Sequence, residues 1–140
     1  HILAKTPIKL VQKLEPGIAM RSYPGPLGQV ITNLVMNAAK HGFNHTQPGT
    51  ITVTCARDGE RACITVMDDG IGIPPENVGK IFDPFFTTKL GQGGTGLGLH
   101  ISHNMVYGPL GGRITVHSTP AVATRFTLHL PFIAPDANRI

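Results

Sequence analysis

Residues 50–67 (TITVTCARDGERACITVM) narrow the possible folds of this chain more than any other stretch. Residues 50–56 and 61–67 alternate or run apolar on either side of Asp58-Gly59. Asp-Gly between two such runs supplies the backbone freedom of a tight turn, so the spacing predicts a β-hairpin. Residues 113–118 (RITVHS) and 124–130 (TRFTLHL) extend the same pattern as two closing strands. Residues 8–14 and 18–23, split by Pro16-Gly17, are expected to form a further strand pair.

Helical periodicity fills the gaps between these strands. Leu27, Val30, Ile31, Leu34, Val35 and Ala38 recur at i, i+3, i+4, i+7, i+8 and i+11, behind Pro24-Gly25-Pro26 and ahead of a plausible stop at Gly42. Pro74-Pro75-Glu76 starts a short helix, and a longer one is expected from about Thr95 to Tyr107. Residues 82–94 lack periodicity and end in clustered glycines, which predicts a long mobile loop. The fold class is α/β: a two-layer sandwich, with a mixed sheet and the helices on one face.

Size and charge set further bounds. The chain has 140 residues, which suits a single domain over 1–140 with one core. Two cysteines are too few for a secreted disulfide scaffold and point to a reducing compartment. The net charge is +4, but no run of Lys or Arg exists, so nucleic acid is not an expected partner. The acids are more telling. None stands between Asp83 and Asp136, so the glycine-rich segment carries no negative charge, as a polyphosphate neighbour requires. No apolar run approaches the ~18 residues of a membrane span. The opening His1-Ile2-Leu3 has neither initiator Met nor signal pattern, so a fragment of a longer protein is expected.

Three constellations carry chemistry. Gln29, Asn33, Asn37 and Lys40 fall at i, i+4, i+8 and i+11 and share one helix face, where Asn is a poor helix former. An amide carbonyl can ligate Mg²⁺ and an ammonium can meet a phosphate, although the stripe taken alone also fits a solvated polar face. Asp68-Asp69-Gly70-Ile71-Gly72-Ile73 follows a strand directly. Its carboxylates could hold a metal or accept from an amino group, and the same residues would serve a plain tight turn. The third is Gly91 to Leu99 (GQGGTGLGL), which opens the second long helix and offers N–H groups and a helix dipole to an anion. Gly91, Gly93 and Gly96 match G-x-G-x-x-G, but no strand precedes them and no acid follows within ~20 residues, which excludes a dinucleotide fold. His100 and His103 lack further ligands at zinc spacing, and neither cysteine has a catalytic partner in the sequence.

Taken together, the Asn33–Asn37 helix, Asp68-x-Gly-x-Gly, Phe82-Asp-Pro-Phe-Phe-Thr-Thr-Lys89 and Gly94-Thr-Gly-Leu-Gly-Leu99 resemble the N, G1, F and G2 boxes of sensor histidine kinase catalytic domains, in order and approximate spacing. Ala123-Thr124-Arg125-Phe126 resembles that family's terminal strand, and the resemblance spans about 8–132, which it implies is the domain core. The resemblance implies a Bergerat-type sandwich that binds ATP with Mg²⁺. By position it implies Asn37 as the Mg²⁺ ligand with Asn33 beside it, and Lys40 on a phosphate with His41 lining the site. Asp68 would accept from the adenine amino group, with Gly70, Ile71, Gly72 and Ile73 around the base and Thr124 in support. Phe82, Phe85 and Lys89 would belong to a lid. Gly93, Gly94, Thr95, Gly96, Leu97, Gly98 and Leu99 would form the phosphate-facing turn and the helix behind it. Departures are Ala121 and Ala123, where the family commonly has Gly, and a differently turned 107–112.

The implied activity is transfer of the γ-phosphoryl group to a histidine on a separate upstream dimerisation domain, ahead of a response regulator receiver domain. None of the seven histidines stands in a phosphoacceptor context, so the chain is expected not to phosphorylate itself. The resemblance also implies a monomer, because that family dimerises through its separate helical domain. A cytoplasmic location follows, with a parent that can be anchored in the inner membrane. Three alternatives share the fold: an ATP-hydrolysing conformational machine, a serine-directed kinase relative, and a nucleotide-binding module without turnover. The hydrolysing machines typically carry Glu where Asn33 stands, and an amide cannot be a general base.

Overall fold

The computed structural model describes residues 8–42, 48–86 and 98–137. Five strands, β1 (Ile8–Leu14), β2 (Gly49–Asp58), β3 (Arg61–Asp68), β4 (Arg113–Thr119) and β5 (Ala123–Pro131), form one sheet in the order β1-β2-β3-β5-β4. β1 runs parallel to β2, and every other pair is antiparallel. The predicted hairpin closes at Gly59, whose φ of +60° is the left-handed conformation that Asp-Gly provides.

Alternation decides which face is covered. Val53, Val66 and Phe126 are register partners, as are Ile64, Leu128 and Ile114, and all are buried. Their sequence neighbours Thr52, Thr65 and Thr127 lie on the opposite face. Helix α1 (Pro24–Asn37) covers the apolar face with Val30, Leu34 and Val35, and helix α3 (Gly98–Tyr107) adds Val106. Burying each such side chain stabilises the fold by roughly 1.5–3 kcal/mol. The helices therefore occupy one face, and the predicted α/β sandwich is the observed one. The short helix α2 (Pro75–Val78) follows Pro74 as its sequence indicated.

Two expectations need correction. Residues 18–23 do not pair with β1 as a strand; β1 pairs with β2, and Arg21 alone makes a bridge, to Ile133. Pro16-Gly17, with Gly17 at φ +80°, has the residue pattern of a type II turn, whose twist splays hairpin strands. The second correction concerns α1, which passes into a π-helical turn over Ala38–Gly42. The 3.6-residue argument holds from Gln29 to Asn37 but not to Lys40, which sits in the wider turn. Single π turns within helices are frequent at functional sites.

The segment 107–112 has a packing role. Gly108, Leu110 and Gly112 donate to the carbonyls of Asn104, Met105 and Val106, which closes α3 and buries Leu110. A Cβ at Gly112 would lie 2.2 Å from the His129 carbonyl oxygen, so the turn lies directly against β5.

Candidate functional site

The alternation that buries Ala62, Ile64 and Val66 carries on to Asp68, the last residue of β3, which is only 5% exposed. Its register partner on β5 is Thr124, also buried. The Gly70 N–H donates to Asp68 Oδ1 at 2.9 Å. Asp69 points elsewhere: its Oδ1 accepts from the Thr50 N–H at 2.8 Å, and its own N–H donates to the Thr50 carbonyl. Of the two adjacent carboxylates, one is therefore buried at the site and the other ties the strand end to β2.

Burial pushes the Asp68 carboxyl up to about 6, against the opposing pull of the Gly70 N–H and with a further push from Asp69. A buried carboxylate held this way is poised to accept from an incoming N–H donor, which would offset part of its lost hydration. The loop after it is stapled to the β4–β5 turn. The Ile73 N–H donates to Ser118 Oγ at 2.7 Å, Ser118 Oγ lies 3.3 Å from Thr124 Oγ1, and the Ala121 N–H donates to the Ile71 carbonyl at 2.7 Å. Gly72 sits at φ +76°, where a Cβ would meet the Thr119 carbonyl oxygen at 2.6 Å. Only glycine fits this crossing. Ser118 joins the two loops, and sequence reasoning missed it because a single Ser in a strand carries no pattern.

The polar stripe of α1 is partly engaged within the protein. Gln29 Nε2 donates to Asn33 Oδ1 at 2.8 Å, while Asn33 Nδ2 donates to Ser102 Oγ at 3.1 Å and to the Gly98 carbonyl at 3.3 Å. Asn33 thus bridges α1 and the first turn of α3. Asn37, one turn further on, and Lys40 are half-buried. The side chain of His41 lies outside the described residues, as do Lys89, Gly93, Gly94, Thr95, Gly96 and Leu97. Gly98 opens α3, with Leu99 packed against the core.

Phe82 is fixed rather than free. Its ring packs 5.3 Å from His103 and 6.2 Å, edge-on, from Phe126, and its carbonyl lies 3.2 Å from His100 Nδ1. Phe126 stands two residues from Thr124, so this segment begins beside the Asp68 end of the sheet. Phe85 is 68% exposed at φ +65°. The two histidines, with no metal role in the sequence, instead anchor Phe82, and His103 stacks on Tyr107 at 4.3 Å. Among the described residues, no group of three or more His, Cys, Asp or Glu could hold a metal. Burial raises both thiols, so Cys55 and Cys63 are poor nucleophiles.

Comparisons with known proteins place the chain in a family. Residues 23–134 match the family described as histidine kinase-, DNA gyrase B-, and HSP90-like ATPase. The chain belongs to this ATPase family. Sensor protein TorS of Escherichia coli K12 is 38% identical over 127 residues, covering 89% of this chain and 13% of that protein. Sensor histidine kinase ZraS of Escherichia coli O157:H7 is 44% identical over 108 residues, covering 77% of this chain and 22% of that protein. The chain therefore spans a minor part of these sensor kinases' length. Among solved structures, the nucleotide-free catalytic domain of histidine kinase ThkA superposes with a TM-score of 0.80 at 28% identity, over 94% of this chain and 85% of that one. Full-length ShkA in complex with AMPPNP gives 0.77 at 28% identity, over 91% of this chain and 26% of that one. As a histidine kinase-type ATPase domain, the chain is of the nucleotide-binding class expected from its four boxes.

Proposed function

We propose that this domain binds Mg-ATP and donates the γ-phosphoryl group to a histidine on a separate dimerisation domain of the same sensor kinase, from which a receiver domain takes it. The observation that carries the reading is Asp68, a buried carboxylate at a strand end with Thr124 and Ser118 beside it, in a chain of this ATPase family. Asp68 accepts from the adenine amino group, and Gly70, Ile71, Gly72 and Ile73 shape the loop around the base. Thr124 supports that contact.

The donor set also suits magnesium. Mg²⁺ is a hard cation that takes oxygen ligands and leaves most of its positions to water and substrate phosphates, and half-buried Asn37 offers an amide oxygen. Asn37 would hold the ion through that oxygen, and Mg²⁺ when bound would supply charge neutralisation at the phosphates. Lys40 and the N–H groups of Gly93 to Gly98 meet the remaining phosphate charge, and Thr95, Leu97, Leu99 and His41 belong to the same nucleotide site. Phe85 and Lys89 belong to the lid that excludes water, with Phe82 as its fixed base. Asn33 is an amide bonded to Ser102 and Gly98, not a carboxylate facing a water, which argues against a hydrolysing machine. Calorimetric titration tests the binding step. Adenine nucleotides should bind with a Mg²⁺-dependent gain that Asn37→Ala removes, and guanine nucleotides should not compete. Equal affinity for GTP would contradict the Asp68 assignment.

A further inference from the structure

Among the described residues, Ser102 is the one buried polar residue outside the Asp68–Thr124 cluster, and it is fully buried in α3. Its hydroxyl accepts from Asn33 Nδ2, which also donates to the carbonyl of Gly98, the first residue of α3. A carbonyl only accepts, so the NH₂ end of Asn33 must face α3 and its oxygen must face Gln29 Nε2, 2.8 Å away. An Asn amide offers two donors and two lone pairs. Both donors and one lone pair of Asn33 are thus engaged inside the protein. What remains is too little for a ligand to phosphate, which needs a donor.

We propose that Ser102 and Asn33 are positioning residues that hold the N-terminus of α3 at a fixed distance from Asn37, without touching nucleotide themselves. Asn33 and Asn37 stand one turn apart on α1, and Gly98 ends the glycine-rich segment that opens α3. The Ser102–Asn33–Gly98 junction therefore joins the metal side of the polyphosphate site to its N–H side. Loss of the junction leaves the adenine contact alone, because Asp68, Ser118 and Thr124 sit on β3, β4 and β5. This inference rests on the Mg-ATP reading above and assigns two residues within it.

The test compares affinities for Mg-ATP and for adenosine by calorimetry in wild type, Ser102→Ala, Ser102→Cys, Asn33→Ala and the Asn33→Ala/Ser102→Ala double variant. Cys keeps the buried volume without a strong acceptor, so it decides the matter if the Ala variant does not fold. Ser102→Ala and Ser102→Cys should each weaken Mg-ATP about fivefold, the net worth of one hydrogen bond, and Asn33→Ala, which removes three, by at least as much. Adenosine affinity should stay within about twofold, and the double variant should be no weaker than the weaker single one, as coupled neighbours are. Ser102→Thr, which keeps the hydroxyl, should retain Mg-ATP affinity. An unchanged ratio of the two affinities in the folded Ser102→Ala and Ser102→Cys variants would overturn the proposal. So would losses that add in the double variant, since Asn33 would then be acting on the ligand directly. A wild-type protein that binds neither ligand overturns the nucleotide reading itself, an outcome distinct from both.

Discussion

Asp68→Asn should separate stability from binding. Burial raises the carboxyl from 3.8 to about 6, so the folded state disfavours its ionised form. For an acid raised in this direction, the stabilising contribution is full below about pH 4, declines as pH rises toward 6, and is gone above it. A shift of roughly two units at about 1.4 kcal/mol each amounts to ~3 kcal/mol of cost at neutral pH. The asparagine carries no such cost and can still accept from the Gly70 N–H, but its NH₂ enters a buried place, at about 1–3 kcal/mol if unpaired. That penalty does not depend on pH. The sharp quantity is therefore the stability difference, variant minus wild type, which should rise by about 2–3 kcal/mol between pH 4 and pH 7.5. Urea denaturation at both pH values measures it. A difference that stays flat within about 0.5 kcal/mol would refute the claim that Asp68 is ionised at a cost in the folded protein. At pH 7.5 the same variant should lose adenine affinity.

Other consequences are simpler to check. Adenosine affinity of the wild type should fall below pH 6, since binding favours the ionised carboxyl, while Asp68→Asn should show no such fall; titration across pH 5–8 shows both. Gly72→Ala should destabilise by about 1–3 kcal/mol, because the added Cβ meets the Thr119 carbonyl at 2.6 Å in a left-handed backbone; thermal unfolding reads the loss. Ala121→Gly should stabilise modestly, since Ala121 holds φ +64° and left-handed strain of about 1–2 kcal/mol outweighs the entropic cost of glycine, about 0.4–1 kcal/mol. Leu34→Ala, at a fully buried helix position, should lower stability by about 2–5 kcal/mol in the same assay.

Much of this was legible in the sequence because the signals were periodic. The β2–β3 hairpin, α1, and the two closing strands all announce themselves by alternation or by 3.6-residue spacing, and Asp68 follows from its place at a strand end. What failed was non-local. Nothing in residues 18–23 shows that β1 finds a parallel partner some forty residues on, in Gly49–Asp58. The π turn at Ala38–Gly42 has no periodic signature, so the direction of Lys40 was not readable. The Asn33–Ser102 and Ile73–Ser118 bonds join residues distant in sequence and leave no local trace. The basic residues, scattered along the chain, also gain order in the fold. Register places Lys9, Lys13, Arg61, Arg113 and Arg125 on the uncovered face of the sheet.

The most direct test of the central claim is phosphate transfer in two parts. Incubated alone with γ-labelled ATP and Mg²⁺, the 140-residue chain should acquire no phosphohistidine, since no histidine of it stands in a phosphoacceptor context. Mixed with the separately produced histidine-bearing dimerisation segment of its parent, it should label that segment at one histidine, and Asn37→Ala should abolish the signal. Stoichiometric phosphohistidine on the chain itself, or release of free phosphate with no label on the added segment, would contradict the account.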